Sequence, residues 1–229
     1  MTVKKFIALT SAALAAVAIT ASAQVAVDVT SAYVFRGEEL SDEVSVQPGF
    51  DTEILGGAVS VGTWANFNTD SSQFDEIDYF FGIPIPLGED SPVSLEIGYT
   101  EYVYPGVEGD ADREPYLSLG TEVEGIELGL LAAYGIDGAI DKSLYLELSA
   151  GTSVDLAENI SLGLGAALGY VDPDEGESGF SHLTLSAGTE IGIPETDHSF
   201  SIGVSYVVET DEDVLAVDTE VYGTIGFTL

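Results

Sequence analysis

Residues 144–149 read LYLELS and residues 160–169 read ISLGLGAALG, and apolar residues occupy alternate positions through most of both runs. In the first run the leucines fall on one face, whereas Glu147 and Ser149 fall on the other. In the second run the positions between the large apolar residues hold mainly serine and glycine. Because successive side chains of a β-strand point to opposite faces, this period of two predicts strands with one apolar and one polar face.

The same alternation recurs along the chain after Gln24, and no long helical period interrupts it. Counting the alternating runs predicts about twelve strands. The first predicted strand extends from Val25 to Arg36. The others begin near Val44, Ala58, Glu76, Val93, Leu117, Ile126, Leu144, Ile160, His182, Phe200 and Val217.

The connections between these strands alternate in length. Short turns are predicted at residues 55–57, 88–90, 124–125, 157–159 and 194–197, and longer polar links at 68–73, 105–114, 135–141, 172–179 and 209–213. A barrel with tight periplasmic turns and longer outer loops has this pattern. A β-sandwich also alternates, but its two polar faces would point to water and its apolar faces to a common core.

The apolar faces are continuous enough to meet lipid, and the polar faces carry acids and glycines. Closure into a barrel would satisfy every backbone group of a lipid-embedded sheet. Aromatic residues near predicted strand ends fit interfacial girdles; these are Tyr33, Phe35, Phe67, Tyr99, Tyr134, Tyr170 and Tyr206. The sequence therefore predicts an all-β transmembrane antiparallel barrel of the outer membrane.

The first residues have the three parts of a secretory signal. Lys4 and Lys5 precede an apolar run from Phe6 to Ile19, and Ala21-Ser22-Ala23 forms a small-x-small cleavage site. This run is shorter than the ~20 apolar residues that span a bilayer as a helix. We expect residues 1–23 to be a cleaved signal peptide and residues 24–229 to be the barrel domain.

The charge balance is strongly acidic. With residues 1–23 removed, Arg36, Arg113 and Lys142 remain against 40 acidic residues, a formal charge of −37. This charge argues against nucleic acid as a partner, because phosphate binding requires a basic surface. The chain has no cysteine, so it is not a disulfide scaffold.

Residues 30–66 read TSAYVFRGEELSDEVSVQPGFDTEILGGAVSVGTWAN. This segment resembles the opening of the TorF-type porin family, through S-x-Y-V-F-R-G and a later G-x-W-x-N. EIDYFFG from Glu76, IGYTEYVYPG from Ile97 and SLYLELSAG from Ser143 are similar as well. The chain departs from that family in its acidity and in ending on Phe-Thr-Leu. The resemblance implies an outer-membrane barrel with porin function, and the alternating final strand resembles a signal for the barrel-assembly machinery.

A cylinder of twelve strands, spaced ~4.8 Å and tilted ~40°, has a backbone radius of roughly 12 Å, between the filled eight-stranded and open sixteen-stranded cases. Rings of carboxylates in a narrow passage select cations, so the inward acids predict a cation-preferring pore for small hydrophilic solutes. The predicted lumen-lining acids are Asp28, Asp51, Glu53, Glu76, Asp78, Glu96, Glu122, Glu127, Glu147, Glu190, Asp218 and Glu220.

Two further residues are predicted to face the lumen. Arg36 is the inward cation, expected to pair with an acid near Glu38 or Asp42 at the rim. Trp64 is a candidate stacking surface for a solute or, alternatively, a packing residue.

Two other functions remain open. One is a closed structural or adhesion barrel that acts through acidic outer loops. The other is a lipid-active enzyme, for which His182 beside Thr184 and Ser186 is the candidate base, although no G-x-S-x-G motif is present. Neither a cofactor nor a specific metal site is predicted, since the acidic loops lack the pattern of a calcium loop.

Overall fold

The computed structural model describes residues 23–88, 91–210, 214 and 220–229. Within this part of the chain, twelve strands close into one antiparallel barrel, and two short strands form a separate hairpin. The hairpin strands are β2 (Tyr33–Phe35) and β3 (Glu38–Ser41). The barrel strands are β1 (Gln24–Thr30), β4 (Ser45–Ile54), β5 (Val59–Asn68), β6 (Gln73–Pro84), β7 (Val93–Val103), β8 (Asp112–Val123), β9 (Ile126–Tyr134), β10 (Leu144–Ala157), β11 (Ile160–Asp172), β12 (Gly179–Gly192), β13 (Ser199–Glu209) and β14 (Glu220–Thr228).

Each barrel strand pairs with its neighbour along the chain, and β1 closes the barrel by pairing with β14. The closing register runs from Ala26 opposite Thr228 to Thr30 opposite Thr224. Closure leaves no free sheet edge, so the backbone groups of the wall bond within the sheet. The predicted twelve-stranded antiparallel barrel is confirmed. In the described residues, no helix has the length and apolar character needed to cross a membrane.

Both described ends of the barrel domain, Gln24 and Leu229, lie on the side of the short turns, which we call the turn side. The opposite end is the loop side. The predicted link at 68–73 is only four residues long, because β5 and β6 extend to Asn68 and Gln73. The predicted turn at 88–90 falls partly on residues 89–90, which lie outside the described residues.

Outward side chains are apolar along the wall. Leu148 is 58% exposed and Ile202 51% exposed, although neither lies in a loop. A water-exposed protein rarely carries such a continuous apolar surface, whereas a transmembrane barrel presents it to lipid. The outward positions toward the loop side include the predicted girdle residues Phe67, Tyr99, Tyr134, Tyr170 and Tyr206.

This two-faced wall makes adjacent positions differ in tolerance to charge. Leu148→Lys places an ammonium group on the outer face, where its cost is about 2–4 kcal/mol near the bilayer midplane. Ser149→Lys places the same group in the lumen and should cost much less. Urea unfolding of both variants in lipid vesicles measures the difference. Equal destabilisation would contradict the assignment of the two faces.

The first predicted strand, Val25 to Arg36, is wrong in its second half. β1 ends at Thr30, whose hydroxyl donates to the carbonyl of Ala32 at 2.8 Å. Arg36 and Gly37 then have φ of 50° and 87°. These two left-handed residues link β2 to β3 as the two central residues of a type I′ hairpin do. The alternation continues through the break, so the period of two did not reveal it.

Candidate functional site

The hairpin of residues 33–41, called the lumen hairpin below, folds into the barrel at its loop side. Tyr33 donates its hydroxyl to Glu76 Oε2 on β6 at 2.7 Å. Its ring lies 5.5 Å from the Trp64 ring on β5. Across the lumen, Val34 is 2% exposed and belongs to a buried cluster with Val207 on β13. The hairpin therefore contacts opposite parts of the wall and obstructs the loop-side lumen.

Arg36 at the tip of the lumen hairpin is held by Glu114 on β8. The two guanidinium nitrogens donate to the two carboxylate oxygens, Nη1 at 3.1 Å and Nη2 at 2.5 Å. The side chain of Glu114 is 4% exposed and that of Arg36 is 19% exposed. Bidentate pairing of this kind is stronger than a single charged hydrogen bond. Removing one partner of a buried pair costs about 3–5 kcal/mol, because the other charge stays uncompensated.

Aromatic rings complete the surroundings of the guanidinium. Its central carbon lies 4.1 Å from the ring centroid of Tyr145 on β10 and 4.8 Å from that of Phe35. Tyr102 on β7 donates its hydroxyl to Glu114 Oε1 at 2.7 Å. A cation over an aromatic face gains about 0.5–2 kcal/mol, more as water is excluded. Carboxylate, ring faces and hydroxyl together form a cage for a planar cation.

A hydrogen-bond chain continues from this cage to β12. Tyr145 donates its hydroxyl to Glu147 Oε2 at 2.8 Å, and the same hydroxyl lies 3.1 Å from His182 Nε2. His182 Nδ1 lies 3.0 Å from Thr184 Oγ1. Both ring nitrogens of His182 therefore have partners inside the lumen. His182 is 2% exposed and lies on the lumen side of the wall.

Gly37 sits directly against His182. A methyl group added at Gly37 would lie 2.7 Å from His182 Cδ2 and closer still to Cβ and Cγ. The φ of 87° at this position is also unfavourable for residues with a side chain. Only glycine therefore allows the tip of the lumen hairpin to approach β12 this closely.

The turn-side half of the lumen has a different lining. Many of its inward positions hold small residues or acids, and the small ones include Gly120, Gly129 and Ser201. The inward acids of this half are Asp28, Asp51, Glu53, Glu96, Glu122, Glu127, Asp155 and Glu190. Glu122 and Glu127 lie opposite each other in the register of β8 and β9.

Among the residues that the structure describes, no lysine or arginine lines the turn-side lumen. Arg36 pairs with Glu114 at the loop side. Arg113 lies on the outer face and pairs with Glu101 at 2.9 Å and with Asp137. Lys142 lies in a loop and pairs with Asp174 at 3.0 Å. These three are all the lysine and arginine residues after Lys5, so the acids that line the turn-side lumen greatly outnumber the cations near them and give this half of the lumen a negative field.

The predicted lumen residues divide into three groups. Glu76, Asp78 and Glu147 face the lumen beside the lumen hairpin, and Glu220 lies at the loop-side start of β14. The acids of the turn-side half face the lumen away from the hairpin, and Asp51 is exposed near the end of β4. Asp218 lies outside the described residues. Trp64 faces the lumen and packs against Tyr33, as a packing residue does.

The predicted surroundings of Arg36 need correction. Arg36 does not lie on a barrel strand, and its partner is Glu114 rather than an acid near Glu38 or Asp42. The predicted polar link at residues 105–114 extends too far, because β8 begins at Asp112. In the structure Pro115 faces outward within β8, and Glu114 faces inward. The inward alternation of Asp112, Glu114, Tyr116 and Ser118 was the signal that could have located the partner.

Tyr33 and Phe35 also differ from their predicted place in the aromatic girdle. Both lie in the lumen hairpin, and Phe35 stacks edge-on against Tyr102 at 5.6 Å. Candidate metal ligands do not cluster either: no group of three or more suitable side chains occurs in the described ranges.

Solved structures with the same fold include outer-membrane pores. The KdgM porin matches with a TM-score of 0.59 at 9% identity, over 90% of this chain and 97% of that one. The NanC porin matches with 0.58 at 11%, over 91% and 99%. An outer-membrane channel from Pseudomonas putida F1 matches with 0.55 at 9%, over 92% and 96%. At these identities the similarity shows a porin-like barrel fold. The curated proteins contain no match to the sequence.

A family model covers nearly the whole chain. The model described as "Bacterial protein of unknown function (Gcw_chp)" matches residues 12–226. This match includes the lumen hairpin and all twelve barrel strands, at least in large part. The relation to TorF-type porins stays a prediction. The chain belongs to the Gcw_chp family of bacterial proteins.

Proposed function

We propose that this chain is an outer-membrane porin that passes small hydrophilic solutes and prefers cations. The observation that carries the proposal is the turn-side lumen, which is rich in acids and small residues and, in the described part of the chain, has no lysine or arginine. A passage lined by one sign of charge concentrates counter-ions and repels co-ions. The apolar outer face supports placement in lipid.

The lumen hairpin sets the size of what can pass. It obstructs the loop-side lumen through contacts with β5, β6, β8 and β12. The solutes would therefore be smaller than those that a twelve-stranded barrel without such a hairpin could pass. The acids at the turn side would set their charge. Size and charge are thus controlled at different depths of the lumen.

Cation preference is tested by the reversal potential of the refolded chain in a planar bilayer with a potassium chloride gradient. We expect discrete current steps and a reversal potential whose sign shows that potassium permeates more readily than chloride. The double variant Glu127→Gln with Glu190→Gln should lower the potassium-to-chloride permeability ratio about twofold or more, because both carboxylates face the lumen.

The matched control is the double variant Glu158→Gln with Glu195→Gln. These acids lie in turns on the same side of the barrel and are exposed to solvent. The variant removes the same charge, yet it should change the ratio much less. An equal change in both double variants would locate the selectivity outside the lumen.

A second candidate function is a closed structural or adhesion barrel. The lumen hairpin favours it, because several buried contacts hold the obstruction in place. A correctly folded barrel that passes no current, even without the hairpin, would establish this alternative. Lipid chemistry at His182 is not favoured, since its nitrogens bond to Tyr145 and Thr184 inside the lumen.

A further inference from the structure

We propose that Glu114, Tyr102 and Tyr145 form a binding site for solutes with a guanidinium group, and that Arg36 occupies this site as an internal ligand. A solute of this class would displace Arg36 and release the tip of the lumen hairpin. The inference deepens the proposed function by naming a solute class, and its conductance consequence rests on that function.

The geometry of the site is that of guanidinium recognition. Glu114 presents two oxygens to two nitrogens of the planar group, at 3.1 and 2.5 Å. Tyr145 lies against the guanidinium with a distance of 4.1 Å to its ring centroid. An ammonium group is compact and strongly hydrated. It could neither bond to both oxygens of Glu114 at once nor stack on the Tyr145 ring as well as a planar guanidinium does.

The wall supplies most of the site independently of the hairpin. Tyr102, Glu114 and Tyr145 belong to β7, β8 and β10, whose positions are fixed by barrel pairing. Tyr102 holds the carboxylate of Glu114 by a hydrogen bond of 2.7 Å, and Tyr145 is tied to Glu147 at 2.8 Å. Removal of Arg36 would therefore leave a preorganised site on a rigid support.

Arg36 and a free solute would compete for the same site. Residues 31–35 link Arg36 to the end of β1 at Thr30, so Arg36 occupies the site at a high effective concentration. A free solute must outcompete it, and its apparent affinity in the native chain is weakened accordingly. The 19% exposure of the Arg36 side chain leaves an edge at which a solute can begin the exchange.

The chain contains a built-in reporter of this exchange. Trp64 is the single tryptophan, and its ring lies 5.5 Å from Tyr33 of the lumen hairpin. Movement of the hairpin changes the surroundings of Trp64 and hence its fluorescence emission. The refolded chain in detergent can therefore be titrated with methylguanidinium chloride and, separately, with methylammonium chloride at constant ionic strength.

We expect methylguanidinium to shift the Trp64 emission at a concentration about tenfold or more below that of methylammonium, because only the planar cation fits the carboxylate fork. Glu114→Gln should abolish this preference. Equal half-effect concentrations for the two cations in the native chain, or a preference that survives Glu114→Gln, would overturn the proposal.

Competition by Arg36 is tested by calorimetric titration with methylguanidinium. Arg36→Ala should bind it about tenfold or more tightly than the native chain does, because the tethered competitor is absent. The matched control is Arg113→Ala, which removes an arginine from the outer face and should leave the affinity unchanged. An unchanged affinity in Arg36→Ala contradicts the internal-ligand role. If Arg36→Ala does not fold, the native and Glu114→Gln titrations decide the matter.

The two proposals fail in distinguishable ways. A chain that conducts cations but shows no preference for methylguanidinium keeps the porin function and loses the site. A chain that binds methylguanidinium with the stated preference but stays silent in the bilayer keeps the site and loses the porin function.

Discussion

Replacement of residues 31–44 by Asn-Gly should raise the single-channel conductance about fivefold or more, since it removes the whole lumen hairpin from a twelve-stranded cylinder. Thr30 and Ser45 are register partners in β1 and β4, so a two-residue turn can join them without changing the pairing. Asn-Gly is the preferred sequence for such a turn. The current steps in a planar bilayer provide the measurement.

In the matched control, Asn-Gly replaces residues 173–178, which form the loop between β11 and β12. This change removes Asp174, the partner of Lys142, but leaves the lumen hairpin untouched. We expect native conductance from the control. A hairpin-free barrel with native conductance would show that the obstruction lies elsewhere in the lumen.

The wall of the barrel could be predicted from the sequence because residues close together in the sequence determine its strands and turns. Each strand has one face toward lipid and one toward the lumen, so apolar and polar residues alternate, as Leu148 and Ser149 do. Turn residues such as Gly125 mark the ends. Strands that are neighbours in sequence then pair because their connections are short. The barrel closes because the backbone N–H and C=O groups of an edge strand would have no hydrogen-bond partners in lipid.

The contents of the lumen could not be predicted in the same way. The pairing of Arg36 with Glu114 joins residues 78 positions apart, and no local pattern encodes it. Tyr33 and Phe35 have the alternation of the wall although they lie inside it. The alternation along a strand predicts that an acid such as Glu76 faces the lumen. It does not indicate whether the acid contacts water or a segment that folds into the lumen, as Glu76 contacts Tyr33.

Gly37→Ala should displace the lumen hairpin without changing any charge. The added methyl group would overlap the His182 side chain, which is held by Tyr145 and Thr184 and cannot move freely. The hairpin must therefore withdraw from β12, which stretches or breaks the Arg36–Glu114 pair. We expect conductance to rise about threefold or more, toward that of the hairpin-free barrel, together with a changed Trp64 emission.

Gly56→Ala is the control that separates this clash from backbone strain. Gly56 has φ of 71° in a turn-side turn, and a methyl group there meets no atom within 4 Å. Both substitutions cost about 1 kcal/mol or more for an alanine in the left-handed region. Only Gly37→Ala adds the steric clash with β12. If the two variants gave the same native-like conductance and emission, the close approach of the hairpin to His182 would not be what holds it in the lumen. A difference confined to Gly37→Ala would show that a glycine, and not only an ion pair, keeps the barrel obstructed.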